Sequence, residues 1–156
     1  MKKILVATGG GDCPGLNAVI RGIVKSAIND KEDYEVWGSI EAFNGILDDP
    51  IRLCKLDSKR VAGIHVKGGT IIRTTNRGNP LEFPIQNDDG SWTTKNRVPE
   101  LIDKIKSAGF DYVVNIGGDG SQKISQALYE NGLNICLLYT SPSPRDATLS
   151  RMPSSA

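Results

Sequence analysis

The stretch ILVATGGGDCPG, residues 4–15, decides the fold of this chain. It opens on Ile4–Ala7, an apolar run typical of a central parallel strand that is buried on both faces. Three consecutive glycines follow, and beyond them apolar residues recur at the 3.6-residue spacing of a helix: Val19, Ile20, Ile23, Val24, Ala27 and Ile28. Tyr34–Ile40 has the composition of a second strand. A strand, a glycine turn, a helix and a strand predict the βαβ unit of a parallel sheet.

A similar succession of elements returns in the second half of the chain. A helix is expected from Asn96, which can cap it, to Gly109, which can end it. Tyr112–Ile116 is a second apolar strand that runs into glycine, Ser121–Asn131 is a helix, and Ile135–Leu138 is a last short strand. The fold class that these elements predict is α/β, with an open, mostly parallel, Rossmann-like sheet and helices on both faces.

Between the two halves, residues 41–96 are less regular and rich in turn signals such as Asn44-Gly45 and Asp89-Gly90. Within this segment, Ile51–Leu56 is expected to form a short strand and Ser58–Ile64 one or two helical turns. Long, glycine-punctuated loops in a compact domain are more often functional than idle. This segment is therefore a candidate part of a binding site.

Composition and charge exclude several classes of protein. The chain has 156 residues, enough for one domain or one piece of a larger domain. Its formal net charge of +1 argues against a nucleic-acid partner, because such proteins neutralise phosphates with a basic excess. No apolar run approaches the roughly 20 residues of a membrane span, and the three cysteines lack the paired spacing of disulfides or zinc sites. We therefore expect a cytoplasmic protein without a membrane or nucleic-acid partner.

Three glycine-rich segments are candidates for binding chemistry, and the first is Gly9–Gly15. Glycines after a strand allow the backbone to approach a phosphate, and the following helix offers unpaired N–H groups at its N-terminus. The alternative is a tight turn that binds nothing. Three consecutive glycines exceed what a turn requires, so the composition favours phosphate binding.

The second segment is GGDGS, residues 117–121, which also follows an apolar strand and precedes a helix. Asp119 is a carboxylate among glycines that can hold Mg²⁺ directly or through water. Alternatively, Asp119 caps the helix by accepting a hydrogen bond from its first turn. Because ligands of open α/β sheets bind beyond the carboxyl ends of the strands, the two bends are expected to face one crevice. As a pair they favour a nucleotide phosphate with Mg²⁺.

The third segment comprises Gly68-Gly69-Thr70 and the sequence TTNRGNP, residues 74–80. Hydroxyls, amides and an arginine on a glycine-rich loop suit contacts to polyphosphate or ribose. A solvated surface loop is the alternative. His65, the only histidine, is expected to be structural.

The sequences GGGDCPGLNAVIRG (residues 9–22), GGT with TTNRGNP (residues 68–80) and IGGDGS (residues 116–121) resemble the N-terminal part of a phosphofructokinase. The resemblance covers residues 1–135, with all three motifs in the order and spacing of the family. It implies phosphoryl transfer from ATP to the 1-hydroxyl of fructose 6-phosphate, which gives fructose 1,6-bisphosphate in glycolysis. It also implies that the parent enzyme is a homo-oligomer.

The resemblance implies roles for individual residues as well. Gly11 contacts the donor phosphates through its backbone, Arg77 reaches the nucleotide, and Asp119 binds Mg²⁺. The other residues around the phosphates are Gly118, Gly120 and Ser121.

The same resemblance bears on the phosphoryl donor. Pyrophosphate-dependent members often carry Asp where this chain has Gly120, and a carboxylate there would crowd and repel the α-phosphate of ATP. Glycine leaves room, which favours ATP. The sequence TTNRGNP resembles a branch in which donor preference is less settled, so pyrophosphate remains the alternative.

After Ile135 the sequence departs from the family. The family continues with a segment like P-[GK]-T-I-D-N-D, whose first aspartate is the catalytic base, and Asp146 of this chain lacks that context. No catalytic residue is assigned for this reason. We expect residues 1–135 to be the nucleotide-binding part of a phosphofructokinase domain, and residues 136–156 to be an unrelated Ser/Pro-rich tail, disordered or artificial, on an inactive fragment. A second departure is Arg73, where many relatives have glycine. Its charge near the nucleotide either helps or obstructs nucleotide binding.

Two further functions stay open at this point. NAD kinases and lipid kinases share a GGDG loop, although they are not expected to carry GGGDCPGLN upstream. A non-catalytic nucleotide-binding module is the alternative from a different class, and titration with Mg-ATP distinguishes it from an inert chain.

Overall fold

Apolar runs that end in glycine become the central strands of the fold. A computed structural model describes residues 1–139 of the chain. The strands are β1 (Lys2–Thr8), β2 (Tyr34–Ser39), β3 (Leu53–Lys55), β4 (Phe83–Gln86), β5 (Trp92–Lys95), β6 (Tyr112–Gly117) and β7 (Ile135–Tyr139). The helices are α1 (Leu16–Asn29), α2 (Asn44–Leu47), α3 (Val98–Ser107) and α4 (Asp119–Glu130).

Five strands form one sheet in the order β3-β2-β1-β6-β7. In its centre, β1 pairs in parallel with β2, where Ile4 lies opposite Val36, and with β6, where Ile4 lies opposite Tyr112. β7 continues the parallel part beside β6, and β3 runs antiparallel beside β2. The mostly parallel α/β sheet that the sequence predicts is therefore confirmed.

Helices cover both faces of this sheet, because successive side chains of each strand point to opposite faces. One core joins α1 to the strands through Val6, Ile20, Val24, Val36 and Ile116. The other core joins α3 and α4 to the strands through Leu5, Leu101, Ile105, Val113 and Leu128. The middle of β1 is fully buried, as expected for a strand covered on both sides.

The segment between β2 and α3 differs most from the expectation. The strand predicted at Ile51–Leu56 shortens to β3, and residues 58–63 form turns rather than helical turns, followed by a 3₁₀ helix at Ile64–Val66. The sequence did not indicate α2 or the β4–β5 hairpin. α2 is four residues long, and in the hairpin Phe83 and Ile85 of β4 are half-buried while every residue from 91 to 96 is exposed, so each region has too few apolar residues to predict it.

At the end of the described residues, β7 contains the predicted strand Ile135–Leu138 and adds Tyr139. This strand crosses the predicted boundary after residue 135, and that boundary stays a prediction. The rest of the predicted Ser/Pro-rich tail, residues 140–156, lies outside the described residues. Among residues 1–139, no helix is both long and apolar enough to cross a membrane.

Candidate functional site

The bends after β1 and β6 leave the sheet side by side. Because the two strands are adjacent and parallel, Thr8 lies opposite Ile116 at their carboxyl ends. The Gly9 N–H donates a hydrogen bond to the Ile116 carbonyl oxygen at 2.8 Å, which carries the pairing one residue further. The segments Gly9–Gly15 and 117–121 therefore start from the same edge, in the arrangement of ligand sites in open α/β sheets.

Glycine permits the close approach between these two bends. A Cβ added at Gly117 would lie 2.7 Å from the Gly9 carbonyl oxygen and would overlap the Ser121 hydroxyl. A Cβ added at Gly9 would lie 2.7 Å from the same hydroxyl. The Ser121 side chain thus fills the space that the two missing side chains leave, and the residue is only 5% exposed.

The third glycine-rich segment is tied across the first bend by hydrogen bonds. The Gly10 N–H donates to the Thr75 carbonyl oxygen at 3.0 Å, and the Thr74 hydroxyl donates to the Gly10 carbonyl oxygen at 2.8 Å. The Thr8 hydroxyl donates to the Arg73 carbonyl oxygen at 2.8 Å. Residues 73–75 therefore run along the start of the first bend, and all three motifs meet at the carboxyl edge of β1 and β6.

Asn17, in the first turns of α1, anchors the near end of that third segment. Its amide nitrogen donates to the carbonyl oxygens of Lys67 and Gly68 at 3.1 and 3.3 Å. Its amide oxygen accepts the Ile71 N–H at 2.8 Å. With 2% exposure, Asn17 is a buried polar side chain whose partners are all backbone groups of the loop, and it fixes the loop against α1.

Asp119 is the first residue of α4 rather than its cap. The N-cap position belongs to Gly118, which has an extended backbone and makes no side-chain capping bond. The interpretation of Asp119 as an N-cap is therefore wrong. Its exposed carboxylate lies in the first helical turn, where the helix dipole favours negative charge.

One carboxylate oxygen of Asp119 has a partner that sequence reasoning missed. The Tyr139 hydroxyl, at the end of β7, donates a hydrogen bond to Asp119 Oδ1 at 2.9 Å. Tyr139 is the last residue of β7 and belongs to no sequence motif, so it is the parallel pairing of β6 with β7 that brings it to this edge. The contact orients the carboxylate at the mouth of the two bends.

Asn115 is a second residue that the sequence reasoning passed over. It is 1% exposed on β6, and its amide nitrogen donates to the Ser121 carbonyl oxygen at 3.2 Å and to the Ser125 hydroxyl at 2.9 Å. These bonds fasten the first two turns of α4 to the strand. The signal was visible as a single amide in the otherwise apolar strand YVVNI, residues 112–116.

The remaining predicted residues lie on the open side of the junction. Gly11 and Gly120 are exposed, and a Cβ added at either would meet no atom within 4 Å. Arg77 is also exposed, and its backbone N–H donates to the Thr75 hydroxyl at 3.0 Å. The structure thus brings the loops that carry Gly11, Arg77 and Asp119 to one edge of the sheet.

The thiol and the acidic residues near this edge of the sheet restrict the reactions that the site can support. Cys13 lies in the first bend, where burial and the neighbouring Asp12 raise the pKa of its thiol, so it is protonated at neutral pH and is a poor nucleophile. Within the described residues, no group of three or more His, Cys, Asp or Glu side chains could enclose a metal ion. A lone carboxylate nevertheless suits Mg²⁺, which is commonly held by one or two carboxylates together with substrate phosphates and waters.

Comparison with known proteins identifies the family. The sequence model of the family described as Phosphofructokinase matches residues 3–143. ATP-dependent 6-phosphofructokinase 2 of Clostridium perfringens is 37% identical over 135 residues, which are 86% of this chain and 36% of that protein. ATP-dependent 6-phosphofructokinase 3 of Streptomyces coelicolor is 40% identical over 133 residues, 85% of this chain and 35% of that protein. The chain therefore spans about a third of the length of these relatives.

Solved structures carry the same fold. A phosphofructokinase from Saccharomyces cerevisiae superposes with a TM-score of 0.65 at 27% identity, covering 90% of this chain and 20% of that chain. A pyrophosphate-dependent phosphofructokinase from Marinobacter aquaeolei superposes with a TM-score of 0.64 at 17% identity, covering 88% and 32%, and this similarity shows the fold alone. The family match, the curated relatives and the three motifs that meet at one sheet edge agree, and the chain belongs to the phosphofructokinase family.

Proposed function

We propose that this chain forms the nucleotide-phosphate side of a 6-phosphofructokinase active site, which transfers a phosphoryl group from ATP to fructose 6-phosphate. One observation carries the proposal: two glycine-rich bends start from adjacent ends of β1 and β6, with the Asp119 carboxylate in the first turn of α4. The relatives named ATP-dependent 6-phosphofructokinases support both the reaction and the donor. We expect the parent enzyme to be a cytoplasmic homo-oligomer.

Main-chain groups do most of the phosphate binding in this proposal. Gly11 and Gly120 have open space where a side chain would stand, so a phosphate can approach their backbone. Gly118 and Ser121 flank Asp119 at the N-terminus of α4, where unpaired N–H groups and the helix dipole attract anions. Arg77, exposed on the third segment, supplies a guanidinium that can pair with phosphate oxygens.

Asp119 is the residue that would hold Mg²⁺. When bound there, Mg²⁺ would neutralise negative charge on the donor phosphates. Phosphoryl transfer depends mainly on positioning and on electrostatic stabilisation. A site made of backbone amides, one arginine and one carboxylate supports both.

ATP is the donor that we favour over pyrophosphate. Gly120 is exposed, and a side chain there would project into open space beside Asp119. A carboxylate at that position would repel an α-phosphate, whereas glycine admits one. Pyrophosphate is the second candidate because the third segment carries TTNRGNP, and the binding experiment below includes it.

We assign no catalytic base among residues 1–139. Asp119 lies in the first turn of α4, and the proposal uses it for the metal. Residues 1–135 are, in this proposal, the nucleotide-binding part of the domain. We therefore expect this chain alone to bind Mg-ATP with negligible turnover, and a coupled assay that detects robust formation of fructose 1,6-bisphosphate would contradict that expectation.

Calorimetric titration of the full chain with Mg-ATP tests the proposal. Binding should weaken at least about tenfold in Asp119→Asn, and also when EDTA removes magnesium from the unmodified chain. Asp103→Asn, an equal change of charge at an exposed position of α3, is the matched control and should leave the affinity unchanged. Equal affinities of the unmodified chain and Asp119→Asn would contradict the metal assignment, and tighter binding of Mg-pyrophosphate than of Mg-ATP would reverse the donor.

A further inference from the structure

Arg73 adopts a backbone conformation that its side chain disfavours. Its φ is +59°, in the left-handed region where a Cβ is sterically penalised and where glycine is preferred. Glu41 and Ala42, on the neighbouring segment after β2, have φ values of +59° and +58°. The two segments are joined by a hydrogen bond from the Glu41 N–H to the Ile72 carbonyl oxygen at 3.0 Å. Strain is thus concentrated where these segments meet.

The Arg73 guanidinium lies at the end of an ion-pair network. Glu41 Oε2 accepts a hydrogen bond from Arg52 Nη2 at 2.9 Å, and Arg52 also bonds Asp48 Oδ2 at 2.6 Å. The Arg52 guanidinium, with a smaller contribution from Arg73, holds the pKa of Glu41 below its usual value, so Glu41 is ionised at neutral pH. Arg73 Nη1 lies 3.5 Å from Glu41 Oε1, a longer approach than that of Arg52.

Arg73 is therefore the loosely held member of this network. Arg52 is shared between two carboxylates, whereas Arg73 pairs with one carboxylate whose other oxygen is already taken. The Arg73 side chain is 71% exposed. An exposed pair of this kind contributes little to stability, so a stronger anion can displace Glu41 at small cost.

The pair lies beside the proposed phosphate site. The Arg73 carbonyl oxygen accepts the Thr8 hydroxyl at 2.8 Å, at the end of β1. The Ala42 side chain lies 4.0 Å from the position that a Cβ of Gly9 would occupy. The Arg73 backbone is thus hydrogen-bonded to the end of β1, and the segment that carries Glu41 passes beside the first glycine of the bend.

We propose that Arg73 is a donor-binding residue: its guanidinium binds the donor's phosphate groups, and Glu41 is the counterion that pairs with it when no donor is bound. This inference rests on the proposed function and adds a residue to it. A phosphate presents several anionic oxygens in the geometry that a guanidinium pairs with, whereas Glu41 offers one half-shared carboxylate. Glycine at position 73 would relieve the strain but could not make this contact.

Replacement of Arg73 by glycine should therefore have opposite effects on stability and on binding. In Arg73→Gly the midpoint of thermal unfolding should rise, because the left-handed backbone no longer carries a side chain. Calorimetry should show Mg-ATP binding weakened about fivefold, and a shallower decrease of affinity with added salt. Arg73→Asn, which tolerates the left-handed backbone but carries no charge, should lose the same affinity.

A matched control distinguishes a direct contact between Arg73 and the donor from a long-range effect of its positive charge. Lys31→Asn removes one positive charge in the exposed turn between α1 and β2, at the opposite edge of the sheet, and should leave Mg-ATP affinity unchanged. Glu41→Gln should strengthen Mg-ATP binding about twofold to threefold by releasing Arg73. This gain in Mg-ATP affinity should vanish in the Arg73→Gly background, because no guanidinium is then left for Glu41 to pair with.

The outcomes distinguish this inference from the proposed function. Mg-ATP binding that is lost in Asp119→Asn but unchanged in Arg73→Gly would overturn the role of Arg73 and leave the proposed function intact. A loss in Lys31→Asn equal to that in Arg73→Gly, or a gain from Glu41→Gln that persists in Arg73→Gly, would also overturn it. Failure of the unmodified chain to bind Mg-ATP would overturn the proposed function and this inference together.

Discussion

The two glycine-rich bends at the carboxyl edge look alike in the sequence, yet they require glycine for different reasons. In the first bend, Gly10 and Gly15 have φ values of +90° and +99°, and an added Cβ would meet no atom within 4 Å of either. In the second bend, Gly117 has no left-handed backbone, but an added Cβ would lie 2.7 Å from the Gly9 carbonyl oxygen. Beyond Gly9, which packs against Ser121, the first bend needs glycine for its conformation, whereas Gly117 in the second bend is needed for packing.

This difference indicates which surface is available to a ligand. The close contact between the bends, at Gly9, Gly117 and Ser121, leaves no room for another group. The outer part of the first bend and the start of α4, by contrast, have open space around Gly11, Gly118 and Gly120. A phosphate bound by main-chain amides would therefore lie on the open side, next to the Asp119 carboxylate.

The largest expected change in stability comes from Gly117 in the second bend. Gly117→Ala should lower the free energy of unfolding by about 3 kcal/mol, because the methyl group would overlap both backbone and side-chain atoms. Denaturant unfolding measures this difference. Gly22→Ala, in α1 where an added Cβ meets no atom within 4 Å, is the control and should not destabilise the chain. A stable Gly117→Ala variant would show that the two bends are not in contact.

A smaller loss is expected at Gly9, and a second substitution should relieve it. The Ser121 hydroxyl is the atom that a Cβ at Gly9 would meet too closely, at 2.7 Å, with the next atoms at ordinary contact distance. Gly9→Ala should therefore cost about 2 kcal/mol alone and much less in combination with Ser121→Ala. The same second substitution should not rescue Gly117→Ala, because the Gly9 carbonyl oxygen remains in place. Equal rescue of both variants would contradict the packing described for the second bend.

Substitutions at Gly10 in the first bend should destabilise the chain for a different reason, the preference of the backbone. Gly10→Ala should lower the free energy of unfolding by about 1 kcal/mol, because alanine is disfavoured at a φ of +90° although space is available. Gly10→Asn should cost less, since asparagine tolerates positive φ better than alanine. Denaturant unfolding of both variants checks this order. A loss that grew with side-chain size, and not with backbone preference, would mean that the first bend is packed as the second is.

The part of the fold that the sequence predicted is the part with continuous apolar periods. β1, α1, β2, α3, β6, α4 and β7 all carry such periods, and all were expected within a few residues. The strand predicted at Ile51–Leu56 is present only as the shorter β3, whereas the single-turn α2 and the β4–β5 hairpin lack such periods and were not predicted. Periodicity describes the burial of one segment at a time, so it cannot predict α2 or the hairpin, nor where β3 begins and ends.

The candidate site divides in the same way. The motifs predicted that glycine-rich bends follow β1 and β6, and adjacency of parallel strands predicted that they meet. The hydrogen bonds from Thr8 and Thr74 that tie the third segment down join residues more than sixty positions apart. The Tyr139–Asp119 bond likewise depends on the pairing of β7. Such contacts are properties of the folded chain, and no local pattern encodes them.

The smallest expected change in stability is the one that most directly tests where the ligand lies. Gly11 lacks both reasons for glycine, because it has no left-handed backbone and an added Cβ would meet no atom within 4 Å. Gly11→Ala should therefore leave the free energy of unfolding within about 0.5 kcal/mol of the unmodified chain. Its Mg-ATP affinity, measured by calorimetry, should nevertheless fall about fivefold, because the methyl group stands where a phosphate must approach the backbone. If affinity and stability are both unchanged, the phosphate does not contact this bend, and the open space above Gly11 is only solvent.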